Sequence, residues 1–498
     1  MKLQGVKITA ICLSGMLACT IPMSCRKMIG IGEPINTLTT SEIFSADATA
    51  TAAMASVYST MINGSNGASS AFNTAFSAGR TTALAGASSD ELNSEITSVP
   101  NGPKDPYGTN KLTALYADAT IWSSAYDIIY KANSVIEGIA ASTSPALHDQ
   151  VRKSLTAQAK FVRAFCYFYL TNFYGDVPMA LTVDFNQTAS LPRMPQAKVY
   201  EQIIADLKDA QAALATDYTE GNGERIIPNK WAATLMLARV YLYTGDYNNA
   251  AAQAGSLIAN TTLFGLEPSL AQVFSSASRE AVWQLKPTNE DPQLKNATPE
   301  GYSFQPTTLD HHGPVPFILS SQLMSAFEPN DQRRAVWVDS TDYPFNGVAP
   351  NTVSYYPNKY VIGPANGMPG MPAPQYYTVL RLAEAYLIRA EANANGATGG
   401  STAALSDLNS IRNRAGLPSL VAGLSQQQLA AAVAKERQVE LFMEWGHRWF
   451  DLKRTGKAHS VLSVIPAKQP WLGDYQLLYP IPIAEITADH FLAQNPGY

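Results

Sequence analysis

The sequence predicts a mostly α-helical protein in which antiparallel helix pairs form a scaffold for a large, irregular, loop-rich lobe. Three observations carry this prediction. Segments near 120–140, 154–173, 237–250 and 382–415 repeat apolar residues at helical spacing. Small residues and a glycine punctuate the third of these as a helix–turn–helix. Long intervening stretches have no period yet are rich in aromatics, in which disordered segments are normally poor.

Taken from the amino terminus, the first residues fit a lipoprotein signal. Lys2 and Lys7 form a basic start, and Ile8–Met23 is an apolar run interrupted by Gly15 and Pro22, too short for a spanning helix. The run ends at Ser24-Cys25, where a small residue precedes a lipid-accepting thiol; Cys19, after Leu17-Ala18, is the rival site. The expected layout is a signal over 1–24, a lipidated tether over 25–40 and one folded domain over 41–498. Cys166, in FVRAFCYFYL, then remains as a small buried core residue. No later apolar run reaches the ~18 residues of a membrane span.

Thr120–Ala140 places Trp122, Tyr126, Ile129, Asn133 and Ile136 on one helical face, and Ser154–Phe173 forms a second helix ended by Gly175-Asp-Val-Pro178. Leu237-Ala-Arg-Val-Tyr241 through Gly245, Tyr247 and Ala250 fits the tetratricopeptide (TPR) pattern, with small residues for close helix approach and Gly245 at the turn. A second copy runs through Leu382, Tyr386 and Ala390, with a loop over Asn393–Ser401 and a partner helix over Ala403–Ala415. The TPR-like helices therefore occupy about 120–260 and 376–456, and the loop-rich lobe about 63–110 and 286–375. Glu436–Gly456 reads as one helix-length run, with Trp445, Trp449 and Phe450 among Glu436, Glu440, Glu444 and Arg448 at four-residue spacing; such a helix is packed inside, its charges paired. The end, Tyr479–Tyr498, reads as an ordered extended tail rather than a helix.

The chemistry readable in the chain favours binding over catalysis. Only 15% of residues are charged, the net charge is −5, and no basic cluster stands out beyond the amino terminus, which argues against a nucleic-acid partner. Glu444 and His447 have a metal-ligand spacing, but there is no second Glu-x-x-His and arginines sit among the carboxylates, so no metal and no cofactor is expected. Asp90, Glu91, Glu290, Asp291 and Asp310 are acids that a glycoside hydrolase would need in opposed pairs, which the sequence does not place. A carbohydrate site needs aromatic faces and hydrogen-bonding groups on a rigid scaffold, and the loops supply both.

The run ExxxELxxEWGHRWFDLKRTG at Glu436–Gly456, Gly175-Asp-Val-Pro178, Ser88-Ser-Asp90-Glu91-Leu and the ending YPIPIAEITADHFLAQNPGY closely resemble the SusD/RagB family, outer-membrane lipoproteins of Bacteroidota that capture nutrients, mostly glycans. The text after Ser24-Cys25 resembles the start of mature family members, which favours lipidation of Cys25. The resemblance implies a surface-facing, lipid-anchored protein that binds an oligosaccharide without chemistry and delivers it to a SusC-like TonB-dependent transporter. It also implies a ligand region around Asp90, Glu91 and Tyr107, and around Tyr302, Phe304, His311, His312 and Phe317. One departure is Arg26-Lys27 after the cysteine, where surface-exported members often carry acids. A TPR-type interaction scaffold and a surface or periplasmic hydrolase are the alternatives from other classes.

Overall fold

Capping chemistry sets where the helices start. The computed structural model describes residues 40–64, 75–94, 105–288, 293–310, 313–343 and 353–498. Its principal helices are α1 (Asp47–Asn63), α2 (Thr81–Ser88), α3 (Thr120–Ala141), α4 (Asp149–Tyr174), α5 (Gln196–Ala213), α6 (Lys230–Tyr243), α7 (Tyr247–Ile258), α8 (Leu382–Ala394), α9 (Gly400–Arg414), α10 (Gln426–Glu440) and α11 (His447–Arg454). The Asn229 side chain accepts the Trp231 and Ala232 N–H groups at the start of α6, Asp246 accepts that of Asn249 on α7, and Ser425 with Gln428 forms a capping box on α10.

The helices pack side by side: α3 on α4, α4 on α5, α6 on α7, and α8 on α7 and α9. Buried ion pairs tie them laterally. Arg163 of α4 donates to Asp206 of α5 at 2.7 and 2.8 Å, and Arg239 of α6 donates to both oxygens of Glu384 of α8 at 2.6 Å. The expected helix pairs at 237–250 and 382–415 are both present, as are those at 120–140 and 154–173.

The lobe outside the repeats is more regular than its composition suggests. Among the described residues it holds antiparallel strand pairs: β1 (Leu92–Ser94) and β2 (Ala281–Leu285) pair respectively with β3 (Phe317–Leu319) and, further on, with the strand Tyr377–Arg381, while β4 (Val338–Thr341) pairs with β5 (Ser354–Pro357); Tyr377–Arg381 is β6. Within 63–110, α2 is buried along its whole length. Its TTALAGAS sequence has few bulky apolar groups because its neighbours come too close for them: a Cβ on Gly86 would stand 2.9 Å from Leu92 Cδ1.

Two further expectations are corrected. Glu436–Gly456 is not one helix: α10 stops at Glu440 and α11 starts at His447. Between them Met443, Trp445 and Gly446 take positive φ angles of 52°, 50° and 73°. The turn lets Trp445 stack on Tyr377 with ring centroids 4.9 Å apart, and a Cβ on Gly446 would lie 2.7 Å from Ala85 Cβ of α2. The tail is not wholly extended, since Ile483–Ala488 forms a short helix; it is held by Asn495 Nδ2, which donates to the Tyr174 and Tyr479 carbonyls at 3.0 and 2.8 Å.

The expected pairing of buried charge at this turn is present and more extensive than helix spacing implies. Arg381, at the end of β6, donates to Glu444 at 2.6 and 2.8 Å, to Glu440 at 2.6 Å and to Glu280 at 2.8 Å. Arg333 reaches Glu436 at 2.6 Å and Glu440 at 3.0 Å, Arg414 joins Glu440 and Glu280, and Lys359 donates to Glu444 at 2.5 Å. These side chains are essentially closed to solvent. The arginines hold the Glu440 carboxyl well below its ordinary value against the opposing effect of burial. Breaking a buried pair by removing one partner costs ~3–5 kcal/mol. Glu440→Ala removes one carboxylate partner from each of three buried arginines, which keep Glu280, Glu436 and Glu444, so its unfolding free energy is expected to fall by about that amount, read from denaturant melts; an unchanged midpoint contradicts the assignment.

Candidate functional site

The residues singled out from sequence separate sharply once placed. Asp90 is buried and bound in a fork by Arg448, Nε to Oδ1 and Nη2 to Oδ2 at 2.7 Å each. Glu91 beside it is buried, and burial followed by the Asp90 charge pushes its carboxyl up to about 8. Tyr107 is buried, its hydroxyl accepting the Asp118 N–H at 2.7 Å and its ring set edge-on to Tyr479. Phe304 and Phe317 pack edge to face, centroids 5.2 Å apart, with 3% and 1% exposure.

These five side chains are thus part of the interior, whereas the sequence reading expects them on a ligand surface. The physical reason is that an aromatic without periodic spacing still enters the core when its loop folds inward. Tyr302 is half-buried and retains access to solvent. His311 and His312, like Cys25, Glu290 and Asp291, lie outside the described residues. Glu444 and His447 do not share a helix: Glu444 is engaged by Arg381 and Lys359, while burial, then Arg239 and Arg437, hold the His447 imidazole well below its ordinary range. Among the described residues no group of His, Cys, Asp and Glu is arranged to hold a metal ion.

A large concave feature that opens to solvent lies elsewhere. A cavity of about 660 Å³ sits between α1, the start of α4, the segment 220–227 and the residues leaving β2. Ligand pockets run roughly 300–1,000 Å³. Its walls are aliphatic: Met54 and Ile62 from α1, Val151 and Leu155 from α4, then Ile226, Ile227, Leu285 and Pro287. Tyr58 adds an aromatic face, held from behind by an edge-on contact with Trp283 at 6.4 Å. Thr288 at the rim donates to Asn63 at the end of α1, 3.2 Å away.

A polar chain runs along the lining. The Tyr58 hydroxyl donates to Gln158 Oε1 at 2.8 Å, Gln158 Nε2 donates to Ser154 Oγ and to Glu220 Oε2 at 3.0 Å each, and the Ser154 hydroxyl donates to Glu220 at 2.8 Å. Every donor on this chain points towards Glu220. Burial, then the Glu220 charge, push the Tyr58 phenol well above its ordinary value, so it stays protonated. The arrangement offers one carboxylate, an aromatic face and C–H-rich walls. It can bind; the pair of carboxylates a glycosidase requires is not among the described lining residues. Sequence reasoning missed this site because its parts come from helix faces a hundred residues apart; Tyr58 on α1 and Glu220 in a glycine-flanked turn carry no local motif.

Phe304→Ala is expected to destabilise the fold by ~3–5 kcal/mol, as truncating a core aromatic does; a normal melting curve places that ring outside the core. Glu91 gives a pH test. Between its ordinary value of 4.5 and about 8 the folded protein keeps a proton that the unfolded chain has released. Its contribution to stability is therefore complete below 4.5 and declines as pH rises, by up to about 1.36 kcal/mol per pH unit. Glu91→Gln is expected to flatten the stability profile across that window and to exceed the native protein above pH 8; identical slopes contradict it.

Comparison with known proteins fits this architecture. A family model described as the SusD family matches residues 207–498, and one described as "Starch-binding associating with outer membrane" matches residues 46–242. SusD-like protein P2 of Formosa agariphila is 28% identical over 421 residues, covering 76% of this chain and 80% of that protein. SusD-like protein P25 of the same organism is 23% identical over 461 residues, covering 79% and 84%. A laminarin-binding SusD-like protein superposes with a TM-score of 0.71 at 24% identity, covering 91% of this chain and 100% of that one. Surface glycan-binding protein A from Bacteroides fluxus superposes with a TM-score of 0.73 at 19% identity, covering 91% and 100%. At these identities the superpositions establish the shared fold.

Proposed function

Because this chain belongs to the SusD family, we propose that it binds an oligosaccharide at the outer membrane without transforming it and passes it to a SusC-like TonB-dependent transporter. The observation that carries the binding reading is the open cavity between α1 and α4, with its aliphatic walls, the Tyr58 face and an accepting carboxylate. Sugar rings present apolar C–H faces and hydroxyl donors, and this lining complements both. Relatives of the same fold named for laminarin and surface-glycan binding support the ligand class.

A non-catalytic role is supported by how the acids are used. Asp90 and Glu444 are committed to cations, and Glu91 is held neutral at pH 7. Delivery requires the protein to stay at the membrane. No helix among the described residues is long and apolar enough to cross one, so the lipid on Cys25 is the proposed anchor. The half-buried Tyr302 and the exposed Tyr343 are proposed to extend the sugar contact on the loop lobe.

Calorimetric titration with laminarin is expected to show saturable binding, with no reducing ends released on prolonged incubation. Release of reducing ends makes the protein a hydrolase, and an absence of binding across a panel of polysaccharides favours an interaction scaffold. In cells fed a tagged fatty acid, the native protein is expected to carry label that Cys25→Ala loses; label lost instead from Cys19→Ala moves the anchor.

A further inference from the structure

We infer that the cavity between α1 and α4 selects electrically neutral glycans and rejects acidic ones, through an accepting floor centred on Glu220. This rests on the carbohydrate-binding reading and specifies its ligand class. The hydrogen-bond inventory decides the sign. Gln158 spends both amide protons on Ser154 and Glu220, Ser154 spends its hydroxyl proton on Glu220, and Tyr58 spends its own on Gln158. No donor in this chain is left for a bound anion. A carboxylate offers about four lone-pair sites, and Glu220 is exposed on the cavity side, so acceptor capacity remains for hydroxyl donors.

The remaining charge on the lining points the same way. Among the described lining residues the one cation is Lys286, and both oxygens of Glu224 already hold it, at 2.8 and 2.9 Å. The unpaired field inside the cavity is therefore that of Glu220. A uronate or sulfate brought alongside Glu220 meets like charge, and the donors nearest that carboxylate, on Tyr58, Gln158 and Ser154, are already spent and cannot offset it. A wholly apolar ligand is disfavoured for the opposite reason, since it covers Glu220 and leaves its lone pairs without partners. A neutral sugar chain satisfies both constraints: hydroxyls reach Glu220 while C–H faces lie on Tyr58 and the aliphatic walls.

The test uses the full chain and two probes of equal length, a neutral gluco-oligosaccharide and an oligouronate, titrated at low ionic strength. The neutral probe is expected to bind at least about tenfold more tightly than the oligouronate. Glu220→Gln is expected to narrow that ratio. Filling the cavity from the exposed side of α1 with Ala55→Trp is expected to abolish binding of the neutral probe; Ser59→Trp serves the same purpose if the first variant melts abnormally. Equal affinity for the two probes, or an unchanged ratio in Glu220→Gln, overturns the inference. Unchanged binding in a folded cavity-filling variant also overturns it, while leaving carbohydrate binding in place elsewhere on the surface. Failure of both probes, and of laminarin, to bind the native protein overturns the carbohydrate reading itself and this inference with it.

Discussion

The buried carboxylates Glu280, Glu440 and Glu444 are the constraint around which the rest of the chain is organised. Each sits in the interior, where a lone ionised carboxylate is prohibitively costly. Each is therefore tolerable only if cations arrive from distant parts of the sequence: Arg381 from β6, Arg414 from α9, and Arg333 and Lys359 from the lobe. Satisfying one turn thus fixes the relative position of the repeat helices and the lobe. Buried ion networks are weak evidence for high stability, because apolar replacements often serve equally well. Their effect here is geometric: side chains with fixed forked donors accept few alternative arrangements.

That geometry extends to the cavity. Arg381 closes β6, β6 pairs with β2, and β2 ends at Leu285 on the cavity wall. Trp283 of the same strand packs edge-on against Phe161 and Phe165 of α4 and against Tyr58 of α1. The strand therefore holds both helical walls of the cavity through one indole ring, and the network holds the strand. A binding site built on such supports keeps its shape without a ligand, which lowers the ordering cost of capture.

Much of this was legible in the sequence, and the losses have physical causes. The repeat helices were readable because period and small-residue packing are local properties: Leu237 to Ala250 and Leu382 to Ala415 carry them within one supersecondary unit. The pairing of Glu440 and Glu444 was readable from charges lying among tryptophans. The break at Met443–Gly446 was not, since only Gly446 advertises a left-handed backbone and the other positive φ angles are imposed by tertiary packing. The burial of Phe304, Phe317 and Tyr107 was not legible, because an aromatic in an aperiodic segment gives no sign of which way its loop folds. The cavity was invisible because Tyr58, Gln158 and Glu220 meet only in three dimensions.

In the proposed role the scaffold holds a preformed cavity that takes a neutral sugar chain against Glu220. The most direct measurement is a crystal structure of the full chain with a neutral gluco-oligosaccharide. Sugar density is expected between α1 and α4, with a ring over Tyr58, a hydroxyl within hydrogen-bonding distance of a Glu220 oxygen, and little movement of either helix. A well-ordered oligosaccharide bound elsewhere on the surface, with no sugar in the cavity, contradicts it.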